Sequence, residues 1–322
     1  MIGYLFVGLF YAAIVIFIVG ILVRIFNWAK SPVPLNICTP FGQQKSLDWI
    51  PRARFDSPYT KWETFVRMLG EVFLFRSLWK NTKYYLETQR QTATKWLWLF
   101  AIAFHWSLLI ILLRHIRFFT SPIPDWILLL QSLDGILEVG RPELHMVTIL
   151  VTDITILLGL FGLLGRRLVG AKERTISLPS DWFVLILIIA VALSGIVMRY
   201  LWAVDIEGVK EFAIGIVTFK PVPPPLDPFF LAHLTLVSIL LIYFPFSKLV
   251  HAVGIFFSPT RNLPNNPRAK RYINPWNPPY TGISWEEYYE MYKDQLDEIA
   301  ERGYNCLLYT SDAADDGESI DL

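Results

Sequence analysis

The chain has 322 residues, 54% of them apolar and 18% charged, with a formal net charge of +1. A soluble domain of this size does not need so much apolar surface; charge so near neutrality identifies no partner, and no nucleic-acid partner is expected. Two cysteines, Cys38 and Cys306, are too few for an iron–sulfur cluster, which usually takes four thiolates, so cluster chemistry belongs to a partner.

The apolar residues cluster into five runs, 3–26, 96–119, 144–164, 182–202 and 228–257, each long enough for a hydrocarbon core that takes about 20 residues in a helix. Backbone polar groups in lipid must be satisfied internally, so these runs predict helices. The expected fold is an all-α integral membrane protein, a five-helix bundle surrounded by lipid bilayer.

Run 3–26 has no basic residue before it and no small-x-small cleavage site after it, which predicts an uncleaved helix rather than a signal peptide. The loop 27–95 is long and basic. Within it, residues 61–86 space Phe65, Met68, Leu69, Val72, Phe73 and Phe75 as an amphipathic helix does. Beyond the second run, 126–137 is too short to span and predicts an interfacial helix. Arg141, Glu143 and His145 cluster where the third run begins. A proline-stiffened segment, 219–228, precedes the fifth run; it reads as a rigid linker or a cover over a pocket.

Lys and Arg concentrate in loop 27–95, at 166–174 between the third and fourth runs, and at 261–271 after the fifth. With five spans these segments share one side, which the positive-inside rule makes cytoplasmic. The N-terminus is then outside and the C-terminus cytoplasmic, in a multi-pass protein of the cytoplasmic membrane. Arg114 and Arg117, at the outer end of the second run, go against this pattern.

The expected organisation is a membrane domain over 1–258, a cytoplasmic tail over 259–305, and no domain over 306–322, whose CLLYTSDAADD resembles a translated sequencing adapter. In the tail, Ser284 followed three residues later by Glu287 predicts a capped soluble helix.

All five histidines lie in or beside the runs: His105 and His115 on the second, His145 opening the third, His233 and His251 on the fifth. Ionisable residues at membrane depth are costly and point to function. The plainer alternative is a neutral histidine bonded to a neighbouring helix. In a helix, His105 and His115 lie ~15 Å apart along the axis and His233 and His251 ~27 Å apart. The second and fifth helices run in opposite directions, so His105 is level with His251 and His115 with His233. Each pair is placed to bind one haem iron from both faces, provided a kink at Pro245 reconciles the unequal separations. Asp153 stands in the third run as a haem-propionate neighbour, a proton relay or an interhelical bond.

The H-x9-H and H-x17-H spacings, PFSKLVH at 245–251 and GRRL at 165–168 resemble the gamma subunit of respiratory nitrate reductase. The long first loop and the NPWNPP tail are more similar to the DsrM subunit of the DsrMKJOP complex of sulfur-metabolising prokaryotes and its archaeal menaquinol-oxidising relatives. The resemblance implies two b haems, an inner one on His105 and His251 and an outer one on His115 and His233. It implies exchange of electrons between menaquinol or menaquinone and a cytoplasmic, DsrK-like iron–sulfur subunit resembling heterodisulfide reductase. Other DsrMKJOP subunits, including a periplasmic cytochrome c, are implied as further partners. With quinol near the outer haem, Glu143 or His145 is the candidate proton acceptor and Arg141 the candidate carbonyl ligand. The alternatives are a subunit of a nitrate reductase-like enzyme and, in another class, a haem-free membrane anchor or transporter.

Overall fold

The computed structural model describes residues 2–31, 45, 49, 51–85, 90–140, 146–266 and 282–303. In chain order these form α1 (Ile2–Lys30), α2 (Lys61–Leu74), a hairpin of β1 (Thr82–Tyr85) and β2 (Arg90–Ala93), α3 (Lys95–His115) and α4 (Asp125–Asp134). A second hairpin, β3 (Gly135–Gly140) and β4 (Met146–Leu150), leads to α5 (Val151–Val169), α6 (Pro179–Tyr200), α7 (Ile206–Val217), α8 (Pro228–Tyr243) and α9 (Trp285–Glu301). Helices dominate, but the two antiparallel hairpins correct the all-α expectation.

Among the described residues, four helices are long and apolar enough to cross a bilayer: α1, α3 with its extension to Phe118, α6, and α8 with its extension to Phe246. This is a multi-pass membrane protein. Exposed Leu5, Val19, Val23, Leu112 and Ile186 are the side chains such helices turn to lipid. Helix α5 carries Asp153, Arg166 and Arg167 and packs beside α3 and α6.

The third apolar run does not become helical where expected. Residues 146–150 pair with β3, and the helix runs from Val151 to Val169 rather than over 144–164. Two forces set this boundary. The β-branched Val147, Thr148 and Ile149 suit a strand. Asp134 accepts hydrogen bonds from Thr152 N at 3.0 Å and Thr152 Oγ1 at 2.6 Å, satisfying a helix-start donor from outside the helix.

Helix α7 was not anticipated. Its start is marked by Asp205, whose carboxylate accepts from Gly208 N, and Val209, Phe212 and Ile216 lie on one face, in a core with Val7, Phe230 and Leu234. A second core joins Phe104, Ile156, Leu160, Leu185 and Ile189. There α3 and α5 approach closely: a Cβ on Gly159 would stand 2.8 Å from Phe104 N and 2.9 Å from Phe100 O.

The amphipathic helix expected over 61–86 is shorter. Helix α2 begins at a capping box of Thr60 and Glu63 and ends at Phe75, whose φ of 49° is left-handed. Its buried face, Thr64, Arg67 and Glu71, lies against the short helix Pro259–Asn262. Asn265 ties the same segment to the loop before α2, its N donating to Pro58 O and its Nδ2 to Ser57 Oγ.

The chain divides into two compact units, Met1–Asn274 and Pro275–Leu322. In the second, Ser284 and Glu287 form the expected reciprocal cap of α9. The NPWNPP segment and the stretch 306–322 lie outside the described residues.

Candidate functional site

Helix α8 stops at Tyr243. Two 3₁₀ turns follow, Phe244–Phe246 and Lys248–Val250, separated by extended Ser247, and His251 opens the one-turn helix His251–Gly254. Pro245 has no amide hydrogen to continue an α-helix. His233 and His251 therefore do not share one straight helix, so the straight-helix separation does not apply to them.

His105 and His251 are brought together, with ring centroids 6.0 Å apart and planes at 72°. An imidazole nitrogen binds a first-row metal at about 2.0 Å, so two imidazoles on opposite sides of one ion hold their centroids about 6 Å apart. Phe75 and Phe104 stand edge-on to His105 at 4.9 and 4.8 Å. At the other end, His115 stands edge-on to Phe118 at 5.8 Å, and His233 lies against Gly195 of α6. Among the described residues α3 packs along α5, and α8 along α1 and α6; the two histidine helices share no comparable seam.

Each histidine is oriented the same way. The Nδ1 of His105 bonds Ala101 O, that of His115 bonds Ile111 O and that of His251 bonds Lys248 O, each at 2.7 Å. A carbonyl only accepts, so Nδ1 carries the proton and Nε2 is left with a free lone pair. His233 reaches the same state by a different route. Ser194 donates its one hydroxyl hydrogen to Val191 O at 2.9 Å, so its oxygen accepts from His233 Nδ1 at 2.8 Å. All four rings thus present Nε2 as an acceptor, and a hydrogen bond at Nδ1 is what fixes ring orientation and basicity where such a nitrogen binds a metal.

Two donors do not complete a coordination sphere. Among the described residues no three His, Cys, Asp or Glu side chains gather into a chelating cluster. A macrocycle with four in-plane nitrogens needs only one donor on each face, and the donor set fits that group.

Beside His115 lies a buried ionic network. Arg114 reaches Asp134 at 3.0 Å and Asp153 at 3.2 Å. Asp153 also accepts from Tyr200 Oη at 2.7 Å and faces Arg199 at 3.6 Å, while Arg199 donates to Thr148 O at 2.9 Å. This explains why Arg114 departs from the topological charge pattern: its charge is neutralised inside the protein. Of the roles open to Asp153 from sequence, the structure shows an interhelical bond.

Next to the network, α4 and the second hairpin border an open cavity of about 440 Å³, lined by Leu128, Gln131, Ser132, Ile136, Leu137, Glu138 and Thr148 among others. Arg117 donates to Gln131 Oε1 at 2.6 Å. Arg141, Glu143 and His145, the quinone-site candidates, lie outside the described residues. Ser194, Asp134, Arg199 and Tyr200 were missed, since which helix faces they occupy is set only by packing.

Residues 58–269 match the model of the nitrate reductase gamma subunit family. The chain belongs to that family. Two relatives, both described as an Hdr-like menaquinol oxidoreductase cytochrome b-like subunit, align over nearly its whole length. The protein of Archaeoglobus fulgidus is 47% identical, covering 92% of this chain and 96% of its own. That of Archaeoglobus profundus is 45% identical, covering 94% of this chain and 96% of its own. Family membership fits the helical, histidine-bearing membrane unit, and the two relatives extend the likeness beyond the bounds of the family match.

Proposed function

We propose that this chain is the dihaem cytochrome b subunit of a membrane menaquinol oxidoreductase, exchanging electrons with a cytoplasmic iron–sulfur subunit resembling heterodisulfide reductase. The observation that carries the reading is the common orientation of four histidines, Nδ1 bonded and Nε2 free, with His105 and His251 brought to 6.0 Å of one another. The names of the two relatives support menaquinol as the substrate. Their coverage of at least 92% of this chain, against a family match confined to 58–269, favours them over a nitrate reductase partnership.

In this reading α5 is the fifth span. The end bearing α2 and Arg166, Arg167 and Arg261 faces the cytoplasm, as the positive-inside rule requires, and the N-terminus is outside. Haem b at each pair supplies one-electron redox chemistry between a two-electron carrier and its partner. His105 and His251 hold the inner group, and His115 and His233 the outer one. Phe75 and Phe104 shield His105 from water. The Arg114–Asp153 network fixes the outer end of α3 against α5 and α6. The cavity by Gln131 and Glu138 has the size of a small-ligand site, and Glu138 stands three residues before Arg141, which with Glu143 and His145 makes up the proposed quinone contacts and proton acceptors.

Purified protein is expected to show a b-type alpha band and two haems per chain. Absence of the band favours a haem-free anchor or transporter, and copurification with a nitrate reductase catalytic subunit refutes the partner. His115→Ala or His233→Ala is expected to remove one haem; loss of both haems or of neither counts against the pairing.

Ser194→Ala deprives His233 Nδ1 of its acceptor and weakens that imidazole as a donor. The outer b component is expected to rise in midpoint potential, with the inner one unchanged. Equal movement of both components in a redox titration would show that Ser194 acts on the bundle as a whole.

A further inference from the structure

Arg67 is buried at 3% exposure on the inner face of α2, and its Nε and Nη1 have no hydrogen-bond partner. A buried cation without a partner is expensive, by several kcal/mol on the usual scale, so its persistence calls for an anion. The two nearby carboxylates, Glu71 and Asp56, both attract Arg67 but are outnumbered by Arg67, Arg76, Lys80 and Arg261. The oxygens of Glu71, one turn on, accept from Ser77 N and Ser77 Oγ. Asp56 accepts from Arg76 and Lys80; burial raises its pKa, but those two cations outweigh burial and hold it below the ordinary carboxylate value. Arg261, on the segment packed against α2, adds a second positive charge facing Arg67. Among the described residues neither Arg67 nor Arg261 has a carboxylate partner. Asn262 and Asn265, on or just beyond that segment, also have amide oxygens without donors. Those oxygens are neutral, and hydrogen bonds to them would leave the charge uncompensated.

The location of this unmatched charge narrows the anion. Helix α2 ends at Phe75, which stands edge-on to His105, and the segment bearing Arg261 follows His251 by one short turn of helix and a 3₁₀ turn. Arg67 and Arg261 therefore belong to the layer that closes the His105–His251 pair on the α2 side. Haem b carries two ionised carboxylates, and guanidinium is the side chain suited to take a carboxylate through paired N–H donors.

We propose that Arg67, assisted by Arg261, binds the propionate carboxylates of a haem clamped by His105 and His251. It thereby sets the rotation of that haem about the histidine axis. The proposal rests on the dihaem reading above and adds a positioning residue to it.

The test uses the full chain in detergent, with haem content, a redox titration of the two b components and bound phospholipid phosphate as readouts. Arg67→Gln is expected to lower the midpoint potential of the inner component, because a lost positive charge disfavours the reduced state, while the outer component stays in place. Arg67→Lys keeps the charge and is expected to retain most of the wild-type potential. If Arg67→Gln does not assemble, Arg261→Gln is expected to give a smaller fall in the same component. Unchanged potentials in assembled Arg67→Gln protein with two haems would overturn the proposal. So would a loss of bound phospholipid phosphate with both potentials fixed, which would identify the anion as a lipid headgroup. A wild-type chain without haem would instead remove the dihaem reading itself.

Discussion

Gly159→Val is expected to abolish assembly of the histidine-bearing bundle and to leave little haem in the membrane fraction. A Cβ at this position meets Phe104 N at 2.8 Å and Phe100 O at 2.9 Å. Both are backbone atoms of α3, so no side-chain rotation relieves the clash, and α3 itself must move away from α5. Overpacking a fitted core costs typically about 1–3 kcal/mol, and a backbone collision stands at or beyond the top of that range. The displaced helix carries both His105 and His115, so one substitution on α5, which bears neither ring, reaches both. Gly165, on the same helix, has nothing within 4 Å of its Cβ position. Gly165→Ala is the matched control and is expected to be neutral or stabilising, since alanine is the better helix former by about 1 kcal/mol. Haem per chain and yield of folded protein, measured for both variants, decide the matter; normal haem in Gly159→Val would mean that α3 and α5 do not pack as described.

Asp153→Asn should have the second largest effect, on stability more than on ligation. The carboxylate is buried between Arg114 and Arg199 and accepts from Tyr200. Replacing it leaves Arg114 with Asp134 alone, whose oxygens also hold Thr152, and takes from Arg199 its carboxylate. Breaking a buried pair from one side costs about 3–5 kcal/mol. Tyr200→Phe removes one hydrogen bond to the same group and the acceptor of Leu150 N, and should cost about 1–3 kcal/mol. Thermal unfolding of the detergent-solubilised protein should therefore order the three as wild type, Tyr200→Phe and Asp153→Asn. The reverse order of the two variants would show that the phenol, and not the ion pairs, holds this end together.

Much of this was legible in the residues because it depends on period and spacing. Apolar runs locate α1, α3 and α6 to within a few residues and the start of α8, whose end falls well short of the run, and the Ser284–Glu287 pair locates the start of α9. The levels of His105 with His251 follow from antiparallel helices and a proline break. Other features depend on what a segment meets after folding. Residues 146–150 read as the opening of a span and became a strand because β3 lies alongside and Asp134 supplies the helix start downstream. Helix α7 carries a modest apolar stripe among charges, and only Val7, Phe230 and Leu234 make that stripe a core. Ser194 is one hydroxyl among many; its bond to His233 exists because α6 turns that face toward α8.

The break after α8 is held from outside. Gly20 of α1 lies directly under Pro245, where a Cβ would come within 2.5 Å of the ring, and Arg24 Nε donates to Pro245 O at 3.0 Å. Phe17 meets Phe244 edge-on at 5.2 Å, and Trp28 reaches the positions around Gly254 and Phe257. Helix α1 contributes no histidine and lies before residue 58, where the family match begins. It is nonetheless the splint against which the broken helix is set. The approach of His251 to His105 therefore takes its geometry from a helix outside the matched segment. A graft of residues 58–269 alone into another scaffold would carry His251 without the surface that aims it, whereas His233, ahead of the break and bonded to α6, would keep its bearing.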